Sequence, residues 1–211
     1  FVILPLLLIV WYAFTDSNGN PSWAAALSFF TTSSKWSVLL VSLFMGLQTT
    51  LICLLLGYPA AYFLANKKYN TNGVLVLLFI MPMWINFVIR TGATRDLLLW
   101  MGLAGGEHPW TATLIGMVYN YLPFTILPLY TTMLKLDKSQ IEAATDLGAN
   151  PFQAFVKSVL PQSMPGIVSA SQMVFMPVMS SYVISDTLSE GKITLFGNSI
   201  YLNFTNSQWN E

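Results

Sequence analysis

Few residues of this chain have the types and spacing that chemistry requires. The one histidine, His108, has only Glu107 beside it and lies in a loop rich in glycine and proline, which favours a solvated side chain over a metal ligand. The string EGKIT at 190–194 lacks the glycine-rich loop that cradles phosphates, and no serine has the setting of a nucleophile elbow. Cys53, the one cysteine, lies in an apolar run and is predicted to be a small buried hydrophobe. We therefore expect no catalytic, cofactor or metal site in this chain.

The composition indicates a protein that resides in lipid. Hydrophobic residues make up 55% of the sequence and charged residues 9%, against about 25% charged in an ordinary soluble domain. Long apolar runs without alternation predict helices rather than barrel strands. Five spans are predicted, at about residues 1–14, 38–65, 74–89, 111–133 and 164–184. The predicted fold class is all-α, a polytopic membrane helical bundle forming one domain over residues 1–211, and the net charge of zero implies no nucleic-acid partner.

The basic residues between the spans predict the orientation of the bundle. Lys67 and Lys68 lie in the short 66–73 connection, and three more lysines lie in the 134–163 segment. Because lysine and arginine concentrate in cytoplasmic loops, both connections are predicted to face the cytoplasm. The opposite loops hold four basic residues, so the bias is modest: Lys35, Arg90, Arg95 and Lys192. The chain begins inside one apolar run and closes on a polar segment, and we expect it to be truncated at both ends.

Segment 137–161, between two apolar runs, is predicted to form a helical hairpin. Asp137 is a good N-cap for a first helix that should run to about Leu147, where Gly148 supplies a left-handed stop. Asn150 and Pro151 are typical of the start of a second helix. Its apolar residues are spaced to lie on one face, and Leu160-Pro161 is predicted to end it: Phe152, Phe155, Val156 and Val159.

Two roles for the hairpin follow from its residues alone. An amphipathic connector lying on the lipid surface is one. The small side chains of Ala143 and Ala144 beside Glu142 favour the other, a protein partner, because small residues admit a close backbone and a charge fixes the register.

This pattern resembles the EAA motif of type I ABC importer permeases. Glu-Ala-Ala is followed by a glycine six residues after the glutamate and by Leu-Pro twelve residues beyond that glycine. The matching residues are Glu142, Ala143, Ala144, Gly148, Leu160 and Pro161. One position departs, because Ser158 stands where the family has an aliphatic residue. Outside the motif, stretches such as LLFIMPMWINFVIRTGATRDLL resemble the B-type permease subunit of spermidine/putrescine importers, which implies a further helix before residue 1 and another after Glu211.

The resemblance implies a mechanism in which free energy enters from another chain. In that family the hairpin is a coupling helix that docks into a cleft on a cytoplasmic ATPase subunit. The implied partners are ATP-binding subunits that carry ATP and Mg²⁺, a second permease subunit, an extracytoplasmic substrate-binding protein and membrane lipid. The implied location is the bacterial inner membrane, with several spans.

A polyamine path needs carboxylates and aromatic faces, since the solute is an extended polycation. Asp186, Tyr182 and Trp84 are the candidates. An acid at the water boundary and interfacial or packing aromatics are the alternative explanations.

Other functions stay open at this stage. The chain is predicted to be an importer permease for polyamines, and a permease for another small solute is the first alternative. Kinked helices and Asp186 also suit a secondary transporter or channel, against which the absence of an internal repeat counts. A non-transporting membrane scaffold is the third possibility.

Overall fold

The structure is a computed structural model that describes residues 33–66 and 73–206, with a few isolated residues before them at 3, 4, 7, 11, 14, 15 and 23. The predicted first span, 1–14, falls largely outside the described residues. The helices of the described part are α1 (Ser33–Ala65), α2 (Val74–Ile80), α3 (Phe87–Trp100), α4 (Pro109–Met133), α5 (Lys138–Asp146), α6 (Pro151–Ala154), α7 (Leu160–Ser180), α8 (Val183–Ser189) and α9 (Phe196–Thr205). A 3-10 turn, Met81–Trp84, follows α2, and a π turn, Phe155–Val159, joins α6 to α7. The all-α prediction is confirmed.

Helices α1, α4 and α7 pack together as the central bundle. Where α7 passes α4, a Cβ added to Gly166 would lie 2.7 Å from the hydroxyl of Thr132, so glycine permits this approach. The apolar core has two clusters along the bundle. The one nearer the hairpin includes Ala61, Ile126, Leu129 and Ala170, and the one nearer the far end includes Met45, Met117, Val174 and Leu188.

Two helices, α1 and α4, are each long and apolar enough to cross a membrane. Two bent pairs qualify if each is counted as one span. One is α2, the 3-10 turn and α3, bent by 93°, and the other is the run from α6 to α7 with α8, bent by 64°.

The first bend divides the run 74–89 that the sequence predicts as one span. Pro82 lies in the 3-10 turn, Ile85 is extended, and the Asn86 side chain accepts a hydrogen bond of 2.9 Å from the Val88 N–H. Because proline cannot donate to the preceding turn and asparagine is a good N-cap, one helix ends and another begins here. The new helix, α3, continues to Trp100 through residues that the sequence places in a loop.

Arg90 lies in α3 and is 7% exposed, although the sequence predicts it in an outer loop. Its Nε donates to the Asn120 side-chain oxygen at 2.8 Å, and its Nη1 donates to the Pro82 carbonyl at 2.6 Å. The guanidinium carbon also lies 5.8 Å from the ring centre of Tyr119. The arginine therefore joins the bend after α2 to α4.

The second hairpin helix does not end at Leu160-Pro161, so that prediction is wrong. α6, the π turn and α7 follow one another without a break from Pro151 to Ser180. The Leu160 N–H reaches the Phe155 carbonyl, five residues back. Pro161 has no N–H and its ring crowds the preceding turn, and the wider π turn just before it is the adjustment that lets the helix continue.

The far end of the bundle is closed by α8 and the start of α9. The Ser185 hydroxyl donates to the Asn198 side chain at 2.7 Å, and the Ser189 hydroxyl accepts from the Ile193 N–H at 3.0 Å. The first N–H of α9, on Phe196, donates to the Ser42 hydroxyl of α1 at 2.7 Å. These bonds fix the chain after the second bend against α1.

Candidate functional site

The first helix of the hairpin, α5, begins at the residue that the sequence predicts. The Asp137 carboxylate accepts from the Ser139 N–H at 3.0 Å and from the Ser139 hydroxyl at 2.5 Å. These hydrogen bonds stabilise the ionised form, led by the one from the hydroxyl, and lower the pKa of Asp137. The helix thus has a charged N-cap at neutral pH.

Gly148 ends α5 in the left-handed conformation, with φ of 85°. The Ala149 N–H donates to the Ala144 carbonyl at 3.1 Å, and the Gly148 N–H donates to the Thr145 carbonyl at 2.9 Å. These two bonds make a complete Schellman motif, in which the last carbonyls of the helix are satisfied.

The second helix starts two residues later with a reciprocal cap. The Gln153 N–H donates to the Asn150 side chain at 2.8 Å, and the Asn150 N–H donates to the Gln153 side chain at 3.1 Å. Pro151 occupies the first helical position, where its missing N–H costs nothing. The turn from Gly148 to Asn150 is therefore closed by hydrogen bonds on both sides.

The hairpin presents apolar side chains outward at this turn. Leu147 is 90% exposed and Phe152 is 73% exposed, while Glu142 and Ala143 are exposed and Ala144 is half-buried. The predicted apolar stripe of the second helix is thus not one buried face, because Phe152 and Val156 are exposed whereas Val159 is buried. Sequence reasoning missed the outward Leu147 and Phe152, although their isolation beside the glycine turn was a visible signal.

At its base the hairpin is attached to the bundle. The ring of Phe155 forms T-shaped contacts with Tyr58 and Tyr62 of α1, with centroid distances of 5.7 and 6.5 Å. Ser158, the departure from the motif, is buried and accepts a hydrogen bond from Gln162 at 3.3 Å. The four-residue spacing of the two tyrosines, which places them on one face of α1, is the sequence signal for this contact.

The two ends of the motif lie in different settings. Glu142, Ala143 and Gly148 lie on the exposed hairpin. Leu160 is partly buried and Pro161 is exposed at the start of α7, where the Ser163 hydroxyl donates to the Leu160 carbonyl at 2.9 Å. Among the described residues, no group of three or more His, Cys, Asp or Glu side chains is placed to hold a metal ion.

The candidates for a solute path lie away from the hairpin. Asp186 is exposed in α8, at an open depression lined by Arg95, Asp186, Thr187, Glu190 and Gly191. Tyr182 stacks on Tyr201 of α9, with centroids 4.6 Å apart and planes 7° from parallel. Trp84 is 78% exposed in the 3-10 turn and, within the described part of the chain, makes no ring contact with Tyr182. Tyr182 and Asp186 are one helical turn apart, and the Asp186 N–H donates to the Tyr182 carbonyl at 2.9 Å.

Comparison with known proteins places the chain in a family. Residues 1–209 match the family described as binding-protein-dependent transport system inner membrane component. The chain is 37% identical over 225 residues to the spermidine/putrescine transport system permease protein PotB of Escherichia coli (strain K12), an alignment that covers 98% of this chain and 82% of the relative. It is 34% identical to PotB of Haemophilus influenzae, with 97% and 78% covered.

The fold is also found among solved structures. The crystal structure of a bacterial ABC transporter involved in the import of the acidic polysaccharide alginate superimposes with a TM-score of 0.69, covering 97% of this chain and 74% of the other at 21% identity. The resemblance to importer permeases drawn from the hairpin motif is thereby confirmed. The chain belongs to the family of binding-protein-dependent transport system inner membrane components.

Proposed function

We propose that this chain is the permease subunit of an ATP-driven importer of polyamines such as spermidine and putrescine. The observation that carries the proposal is the exposed, doubly capped hairpin between two apolar helices. The PotB relatives, which align over nearly the whole chain, support the solute class. ATP and Mg²⁺ bind to separate cytoplasmic subunits in this proposal, and the chain converts their motion into alternating access.

The hairpin has the features of a surface that docks into a protein cleft. Leu147 and Phe152 project from a turn whose backbone is fixed by capping, so little conformational entropy is lost when a partner encloses them. Buried aromatic anchors carry much of the binding energy at interfaces, which favours Phe152 as the main contact. The exposed Glu142 supplies a charge that fixes register, and Ala143 admits a close backbone.

The charge of α5 favours a protein partner over the lipid surface. Glu142 and Asp146 are both exposed on this helix, and Lys138 is its one basic residue. Amphipathic helices that lie on membranes are rich in lysine and arginine, because the cytoplasmic leaflet is anionic. An acidic helix beside exposed apolar side chains is better matched to a cleft with basic residues.

Docking of the hairpin acts on the conformational equilibrium of the central bundle. ATP binding closes the two ATPase subunits, and the docked hairpin moves with them. A tightly packed bundle responds by switching between discrete arrangements rather than by deforming continuously. The permease thus exchanges an outward-facing for an inward-facing state.

The proposed solute path starts at the far end of the bundle. Asp186 supplies a carboxylate at the open depression, and Tyr182 and Trp84 supply aromatic faces for a polycation. A second permease subunit faces this chain across the path, and an extracytoplasmic binding protein delivers the solute. Lipid covers the exposed apolar sides of the helices.

The first test addresses the hairpin in a complex reconstituted with its ATPase subunits and binding protein. Glu142→Lys or Gly148→Asp should abolish uptake and loosen ATPase association while the protein still inserts. Glu107→Lys is the matched control, because this exposed acid lies in the loop before α4. A photo-crosslinker at Ala143 should capture an ATPase subunit. Normal uptake by both hairpin variants, or capture of lipid alone, would contradict the proposal.

The second test addresses the solute. ATP hydrolysis by the complex should be stimulated by binding protein loaded with spermidine or putrescine. Stimulation by a different solute alone would keep the permease assignment and change the substrate. Ion-driven flux through this chain without ATP would identify a secondary transporter instead.

A further inference from the structure

We propose that an aromatic contact between the hairpin and α1 is the link through which hairpin motion reaches α1. Phe155 of the π turn and Tyr58 and Tyr62 of α1 form this contact, here termed the aromatic joint. The role proposed for all three is that of positioning residues, because each acts through its contact with another ring. The inference rests on the proposed function, since it requires an ATPase subunit that moves the hairpin.

The geometry of the aromatic joint suits the transmission of force. Phe155 is nearly perpendicular to both tyrosine rings, with interplanar angles of 87° to Tyr58 and 86° to Tyr62. Edge-to-face pairs have a preferred geometry, so displacing one ring raises the free energy unless the other ring moves with it. Tyr58 and Tyr62 are one helical turn apart, and together they oppose sliding of Phe155 along α1.

Tyr58 also binds α7. Its hydroxyl lies 2.9 Å from the Ser163 hydroxyl, and Ser163, which is fully buried, donates in turn to the Leu160 carbonyl. One tyrosine therefore contacts the π turn through its ring and α7 through its hydroxyl. This arrangement makes α1 and the base of α7 a single packed body.

The first helix of the hairpin is attached to the same base. The backbone N–H of Asp137 donates to the Gln162 side chain at 2.9 Å, and Gln162 donates to the Ser158 hydroxyl in the π turn. A hairpin held by its first residue and by its second helix cannot pivot freely. Its displacement passes to α7 through the backbone and through Gln162, and to α1 through the aromatic joint.

A role in transmission differs measurably from a role in packing. If Phe155 only filled space, its replacement would lower stability and leave the ratio of solute carried to ATP hydrolysed unchanged. If the aromatic joint transmits motion, the complex assembles and hydrolyses ATP, but less solute is carried per ATP. That ratio is the quantity to measure.

The first experiment compares single variants in the reconstituted complex. Phe155→Leu should lower the amine carried per ATP by roughly twofold to thirtyfold, the range over which residues on a coupling route act. Phe155→Tyr, which keeps the ring, should restore the ratio. Phe79→Leu makes the same change on an exposed ring of α2 and should leave the ratio unchanged. A wild-type ratio in Phe155→Leu would overturn the inference.

The second experiment replaces the aromatic joint with a removable covalent link. Tyr62→Cys and Phe155→Cys are combined in a Cys53→Ala background, and the two thiols are joined by a short, reducible bifunctional reagent. The ratio should be low with free thiols and should recover on linking. If linking leaves it low or blocks uptake, the hairpin and α1 move relative to each other and the inference fails. A wild-type complex without ATP-driven uptake would overturn the proposed function together with this inference.

Discussion

Replacing Arg90 with methionine should destabilise the protein far more than the same replacement at Arg95. Both arginines lie on α3, but Arg95 is exposed whereas Arg90 is buried and donates to Asn120 and to the Pro82 carbonyl. Methionine is of similar length and fills much of the same space. The change therefore removes hydrogen bonds and charge with little loss of volume.

The magnitude follows from the two acceptors left behind. Each buried acceptor without a donor costs about 1–3 kcal/mol. Asn120 is 2% exposed and bears the full cost, whereas Pro82 is half-buried and its carbonyl can take up water. Removing a buried charge offsets part of the loss. We expect a net loss of about 2–4 kcal/mol, which lowers the midpoint of thermal unfolding by roughly 5–15 °C for a chain of this size.

The assay uses the chain's one cysteine. Cys53 is fully buried, so a thiol-reactive fluorophore reports unfolding of the detergent-solubilised protein as the bundle opens. Arg95→Met should melt within about 2 °C of the wild type, as surface replacements do. A double variant, Arg90→Met with Asn120→Leu, should lose less than the sum of the single variants, because they share one hydrogen bond. Equal unfolding midpoints for Arg90→Met and Arg95→Met would refute the stabilising role of the Arg90 hydrogen bonds.

Three further predictions concern the hairpin and the packing of the spans. Gly148→Ala should destabilise the turn by about 1–2 kcal/mol through its positive φ alone, since the added Cβ meets nothing within 4 Å, and faster amide exchange over 141–149 would show it. The Asp137 N-cap should persist from neutral pH to below the usual carboxyl pKa of 3.8, because the Ser139 hydrogen bonds lower the pKa of Asp137. The stability that the ionised cap gives to α5 is lost only as the pH falls through that lowered value. Amide exchange over α5 that became faster well above pH 3.8 would contradict the cap. Gly166→Ala should lower the unfolding midpoint, because the added Cβ would press on a threonine side chain of α4. Gly92→Ala, whose Cβ would have open space around it, should leave the midpoint unchanged or raise it. Equal midpoints for the two variants would refute the close approach of α7 to α4.

The hairpin turn could be predicted from the sequence because its determinants are local. Gly148 ends α5 because glycine adopts a positive φ without strain. Asn150 and Pro151 start the next helix through a cap that extends only to Gln153. Such signals act over four or five residues and do not depend on what surrounds them. For the same reason the sequence predicts the Asp137 cap, whose partner Ser139 is two residues away.

Features that depend on distant partners were not accessible in this way. The burial of Arg90 requires Asn120, thirty residues away on another helix, and a basic residue without that partner is ordinarily assigned to water. Leu160-Pro161 predicts a helix end because proline usually marks one, and no sequence rule predicts the π turn that lets the helix continue.

The π turn Phe155–Val159 determines how the hairpin is rotated about the axis of α7. An α-helix turns by about 100° for each residue, so one residue more or fewer in this segment would swing the hairpin about a quarter of a revolution around the axis of α7. The caps of α5 and α6 and the turn at Gly148 would survive such a change, yet Leu147 would face a different direction. The number of residues between the hairpin turn and the membrane helix, and not only their identity, thus determines whether a partner beneath the bilayer meets the right face.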